Sequence, residues 1–122
     1  GPESRNRGQT GAGVGRMPER PTRPDQQIHT RTRVGWWKGD SSWRTPTFRT
    51  GELWAICWVT AEAGTPFGTV DVSIHSADGS FWRPAVYALG TDQGVEYCRV
   101  SGTFYLEIDA DEPWVIEVWD LN

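Results

Sequence analysis

Apolar side chains in this chain recur at every second residue in four separate runs, and nowhere keep helical spacing for more than a turn. "LWAICWV" (53–59) sets Trp54, Ile56 and Trp58 on one face and Leu53, Ala55, Cys57 and Val59 on the other. "TVDVSIH" (69–75) sets Val70, Val72 and Ile74 against Asp71, Ser73 and His75. "TFYLEI" (103–108) sets Phe104, Leu106 and Ile108 against Tyr105 and Glu107, and "WVIEVWD" (114–120) sets Trp114, Ile116 and Val118 against Val115, Glu117 and Trp119. Successive side chains of a strand point to opposite sides, so a period of two marks half-buried strands. Turn formers separate the runs: Ala63-Gly64-Thr65-Pro66, Asp78-Gly79, Gly90-Thr91-Asp92, Ser101-Gly102 and Asp111-Glu112-Pro113. Asp78-Gly79 suits a tight hairpin. Pro84 lacks an amide donor and belongs on an edge strand or at a bulge. The pattern predicts an all-β fold: an antiparallel β-sandwich of about seven to eight strands, with a barrel as the other way to close it.

The phase of each run also names the core. Residues two apart share a face, so Trp54, Ile56 and Trp58 lie all inside or all outside. Outside, they would form a large apolar patch. They are therefore expected to be buried, facing the triads 70-72-74, 104-106-108 and 114-116-118.

Composition divides the chain at residue 33. Residues 1–33 hold almost no large apolar side chain, Val14, Met17 and Ile28 being the exceptions, and carry seven Arg against three acids, a net of +4. Such a stretch offers too little surface to offset the entropy of ordering it and is expected to be a disordered basic linker or tail. Gly1-Pro2 matches the remnant of a cleaved purification tag. Residues 34–122 form the expected sandwich domain, with five basic residues against thirteen acids, a net of −8. An acidic domain repels phosphate, which argues against nucleic acid as the main partner. No run of about twenty apolar residues is available to span a membrane.

Six motifs in order carry a family resemblance: Trp37 to Gly39, Thr45 to Phe48, Trp54 to Trp58, Gly68 to Val70, Gly102 to Ile108 and Trp114 to Val118. Together they resemble small β-sandwich domains of secreted bacterial and archaeal proteins and lipoproteins, of the pre-peptidase C-terminal-like type. The resemblance implies a non-catalytic, extracytoplasmic accessory or interaction domain, with any signal segment lying outside this chain. It brings no catalytic residue and no cofactor. The implied partner is a protein or a glycan at the cell surface, and the oligomeric state is left open.

Cys57 and Cys98 are the only cysteines. Without a CxxC or a Cys/His cluster they cannot hold zinc, so they form either a disulfide or two thiols, and an exported domain favours the disulfide. A Ser/His/Asp arrangement would draw on Ser73 or Ser76, His75, and Asp71 or Asp78, but no nucleophile elbow is present, and His75 reads as a solvent-facing histidine beside a turn. Glu107, Asp109, Asp111 and Glu112 are oxygen ligands of the kind calcium takes, without the spacing of a calcium loop. The eight tryptophans are the strongest candidates for ligand contact. Trp36 and Trp37 are adjacent, so at least one should face outward, and with Trp43 and Trp82 they are the candidate stacking platforms of a carbohydrate-binding module. Trp119 lies on the outer phase of its strand.

Overall fold

The computed structural model describes residues 3–4, 31–60 and 68–122. Among these, ten strands follow in order: β1 (Glu3–Ser4), β2 (Thr32–Gly39), β3 (Trp43–Arg44), β4 (Phe48–Thr50), β5 (Trp54–Thr60), β6 (Thr69–Ser76), β7 (Trp82–Leu89), β8 (Gln93–Cys98), β9 (Gly102–Ala110) and β10 (Trp114–Asp120). Sheet 1 has the order β1-β2-β10-β5-β8. Sheet 2 has the order β3-β9-β6-β7, with β4 also on β9. Every pairing is antiparallel. The two sheets close on one core, making the predicted β-sandwich; the short pieces β1, β3 and β4 extend its seven long strands.

That core is the one the phases name. Trp54, Ile56, Val70, Val72, Ile74, Phe104, Leu106, Ile108, Trp114, Ile116 and Val118 form a single buried cluster with Trp37 and Phe48. Aromatic rings fill what Leu and Ile cannot. Trp54 stacks on Phe104 with ring centres 5.2 Å apart, and Phe48 meets Trp54 edge-on at 5.5 Å. Two indole donors are met at the ends of the core: Trp54 Nε1 donates to the Val100 carbonyl at 2.8 Å and Trp114 Nε1 to the Ser41 carbonyl at 3.0 Å, whereas Trp37 Nε1 and Trp58 Nε1 are buried without a partner among the described residues. Trp58 keeps the expected phase but is only half-buried, packed against the margin of the cluster. Trp37 folds back over Gly35 on its own strand, where a Cβ would lie 2.1 Å from the indole. A side chain at position 35 would therefore displace the ring.

Consecutive long strands mostly cross between sheets; only β6 and β7 pair directly in sequence. Their hairpin carries Gly79 at φ 77°, as the Asp78-Gly79 signal requires, though the connection runs over Ala77–Phe81 and is longer than a two-residue turn. Asp78 organises it. One carboxylate oxygen accepts from the Ser76 hydroxyl (2.9 Å), the Ser80 amide (2.9 Å) and the Ser80 hydroxyl (2.6 Å). Those donors, Ser80 foremost, hold the Asp78 pKa down at about 2. Pro84 lies on β7, the edge strand of sheet 2, at a bulge opposite Val72 and Ser73. Both expected settings for that proline are met at once.

The domain boundary shifts slightly. β2 begins at Thr32, so Thr32 and Arg33 belong to the sheet and not to the tail, and Glu3–Ser4 pairs with Lys38 and Trp37. The remainder of the expected disordered tail, residues 5–30, lies outside the described residues, as does the turn at 63–66.

Candidate ligand-binding face

The polar phases of β6 and β9 meet on the outer face of sheet 2. Cross-strand register sets Asp71 opposite Asp109, Ser73 opposite Glu107 and His75 opposite Tyr105. On the flanks, β3 brings Arg44 opposite Glu107 and β7 brings Trp82 opposite His75. These groups form one connected surface. The His75 ring lies on the Tyr105 ring, centres 5.1 Å apart and planes within 7°. Trp82 presents its edge to His75 at 6.4 Å. The Arg44 guanidinium covers Tyr105 at 4.9 Å and donates from Nη2 to Glu107 Oε1 at 3.0 Å, which raises the Arg44 pKa further. Ser42 donates to Asp109 Oδ1 at 3.1 Å.

A groove of about 730 Å³ runs along this surface, walled by Trp43 and Trp82 and floored by Asp71, Ser73, Glu107 and Asp109. Trp82 is 60% exposed. An indole open to water beside carboxylates and hydroxyls offers a flat apolar surface and hydrogen-bond acceptors within one ligand's reach.

Ser73, His75 and Glu107 have the composition of a catalytic relay but not its geometry. Ser73 Oγ lies 2.9 Å and Glu107 Oε2 3.3 Å from the same nitrogen, His75 Nε2. A relay needs the serine and the acid on different ring nitrogens.

The four candidate tryptophans do not act together. Trp36 and Trp37 do point to opposite faces of β2, yet both are buried. Trp37 is in the core against Trp43 and Phe48, and Trp36 packs with Val59 and Val115 on the other side of sheet 1. Neither can stack on a ligand from solution. Trp43 is half-buried, stacked on Trp114 with ring centres 6.3 Å apart, and Trp82 alone stands clear. The outer phase of β6 and β9 carries Asp71 and Tyr105, and β3 adds Arg44; none of the three is a ligand candidate by sequence alone.

The cysteines are separated. Cys57 pairs in register with Val95 and Cys98 with Trp54, three positions apart on adjacent strands, so their side chains leave opposite faces of sheet 1. The disulfide expectation is corrected accordingly: both are buried thiols. Desolvation, with Glu117 nearby, pushes Cys57 up to about 12. Burial also raises Cys98, against the opposing pull of Arg83. The acidic cluster disperses too. Glu107 and Asp109 face the groove, Asp111 accepts from the Thr69 amide at 2.7 Å, and Glu112 is buried with neither carboxylate oxygen hydrogen-bonded. Among the described residues no three His, Cys, Asp or Glu are arranged to hold a metal.

Comparison of the chain with protein-family models and with curated proteins found no match.

Proposed function

We propose that this is a non-catalytic binding domain of a secreted or surface protein, and that it takes carbohydrate on the outer face of sheet 2. The observation that carries the reading is Trp82, exposed over a groove floored by Asp71, Ser73 and Glu107. Sugar rings present one apolar face and a rim of hydroxyls. An indole serves the first, and carboxylates and a serine serve the second. The sequence resemblance supports the accessory role. The separated thiols withdraw one residue-level reason for export, so the extracytoplasmic setting rests on that resemblance alone.

The test is titration with soluble glucans, xylans, mannans and chitin oligomers, followed by calorimetry and by tryptophan emission. Binding to one class should be lost in Trp82→Ala and weakened at least tenfold in Asp71→Ala, with the melting transition unchanged. Binding that survives Trp82→Ala refutes the site.

A second reading has its own observation. Tyr87 (69% exposed) and Leu89 (57%) stand on β7 at the open edge of sheet 2. An edge strand bearing exposed large apolar groups favours a protein partner. Retention of a partner by Trp82→Ala and its loss in Tyr87→Ala would favour that reading.

A further inference from the structure

The groove on sheet 2 has a charge pattern that its fold does not call for. Asp71 and Asp109 stand directly opposite each other on β6 and β9, and both are exposed. Side chains so placed have Cβ atoms about 5 Å apart, and like charges there destabilise a sheet. Charges on an edge strand guard it against pairing with another chain, but β6 and β9 are the inner strands of sheet 2. Nor is the pair neutralised. Asp109 accepts from the Ser42 hydroxyl at 3.1 Å, and Asp71 has no hydrogen-bond or ion-pair partner among the described residues. The basic side chains of this face are engaged or placed elsewhere. Arg44 Nη2 is 3.0 Å from Glu107 Oε1, and His75 Nε2 is 3.3 Å from Glu107 Oε2. Arg49 lies opposite Thr103, roughly 20 Å along β9 from Asp109.

Aromatic rings flank the acid pair. Tyr87 is in register with Asp71 and is 69% exposed. Trp82, 60% exposed, is in register with His75, ~13 Å further along β6. The strand that carries both rings is held at each end. Asp78 organises the hairpin before it. After it, Thr60 Oγ1 donates to the Gly90 carbonyl at 2.6 Å and the Gly90 amide donates to the Gly68 carbonyl at 2.8 Å, making a fixed corner. The spacing of the two rings is therefore set before a ligand arrives, which spares the cost of ordering them on binding.

We propose that the glycan taken by this groove is a chain of amino sugars with free, protonated amines; the inference rests on the carbohydrate reading above and narrows it. An ammonium group seated between Asp71 and Asp109 removes their repulsion, and its hydrogen bonds to carboxylates are roughly twice as strong as those between neutral groups. The Tyr87 ring beside it adds a cation–π contact. Trp82 stacks on a sugar further along the same chain, because the ~13 Å between the two positions is longer than one sugar ring. Residues 34–122, with a net charge of −8, draw such a polycation in and repel acidic glycans. A neutral sugar leaves the acid pair without a counter-charge.

The test is calorimetry with tetramers of glucosamine, N-acetylglucosamine and glucose, all of one linkage, in mildly acidic buffer that keeps the amines protonated. The three differ only in the group on the second carbon of each ring. The glucosamine tetramer should bind at least about tenfold tighter than either of the others, and the advantage should shrink as salt rises. Asp71→Asn should bring it down to the level of the neutral tetramers with the melting transition unchanged. Equal binding of the three, or a preference for a neutral glycan, overturns the inference and leaves the carbohydrate reading standing. An advantage that survives Asp71→Asn overturns it too. Failure of every glycan to bind removes both. Oligolysine that binds through Asp71 and is indifferent to Trp82→Ala also overturns the inference, since the acid pair would then serve a peptide.

Discussion

The two outer faces of this sandwich are built on the same alternating backbone and have opposite characters. On sheet 2, β6 and β9 turn Asp71, Ser73, His75, Tyr105, Glu107 and Asp109 outward, and the surface is open. On sheet 1, β5 and β10 turn Ala55, Cys57, Val59, Val115 and Trp119 outward, and the surface is closed. The difference lies in the second phase of each strand: a polar second phase leaves a face available for ligands, and an apolar one commits it to structure.

Paired substitutions test that contrast most severely with the tryptophans. Trp119→Ala should cost about 3–5 kcal/mol, because a buried indole leaves a cavity. Trp82→Ala should change stability by no more than about 0.5 kcal/mol, as exposed positions do. Urea midpoints measured by circular dichroism decide, and equal costs would break the contrast.

Ion pairs on the two faces come next. Arg33 and Glu117 retain only 19% and 11% of side-chain exposure. Arg33→Ala, which strands the Glu117 charge, should destabilise by about 3 kcal/mol. Arg44 and Glu107 are 62% and 43% exposed, so Arg44→Ala should cost about 0.5 kcal/mol or less and lose most of that in high salt.

Two turn carboxylates sharpen the comparison by the sign of their pH response. Burial, with Asp111 beside it, raises Glu112 above its ordinary 4.5. Its protonated form suits the folded state, so that contribution is complete below about 4.5 and is lost as pH rises through the raised value. Glu112→Gln should therefore raise the melting temperature at pH 7, and the advantage should fade as pH approaches 4.5. Asp78 behaves oppositely and more weakly, being exposed. Its contribution is complete above 3.8 and is lost as pH falls toward about 2. Asp78→Asn should lower the melting temperature slightly at pH 7, and the difference should shrink as pH falls from 3.8 through about 2.

Much of the fold is legible because strand phase is a local property. The triads at 54-56-58, 70-72-74, 104-106-108 and 114-116-118 need no knowledge of pairing to be assigned inward. The second phase of β5 follows the same rule. Leu53-Ala55-Cys57-Val59 is apolar too, and a strand apolar on both phases belongs between two layers. Trp36 and Trp119 lie on that covered surface. The groove was harder to see. Arg44, His75, Tyr105 and Glu107 come from three strands whose order crosses between sheets, and only register brings them together. The cysteines needed register for the same reason: a three-position offset sets them on opposite faces, and spacing along the chain says nothing of it.

The corner at Gly90 has a consequence for how the chain can change. Thr60 and Gly68 are fastened to the same residue by hydrogen bonds, so the distance that the intervening segment closes is set by the framework and is indifferent to its length. Closure entropy grows only logarithmically, and doubling such a segment costs about 0.6 kcal/mol. This corner is where the domain can accept an inserted peptide, or a whole guest domain, with both sheets left in register.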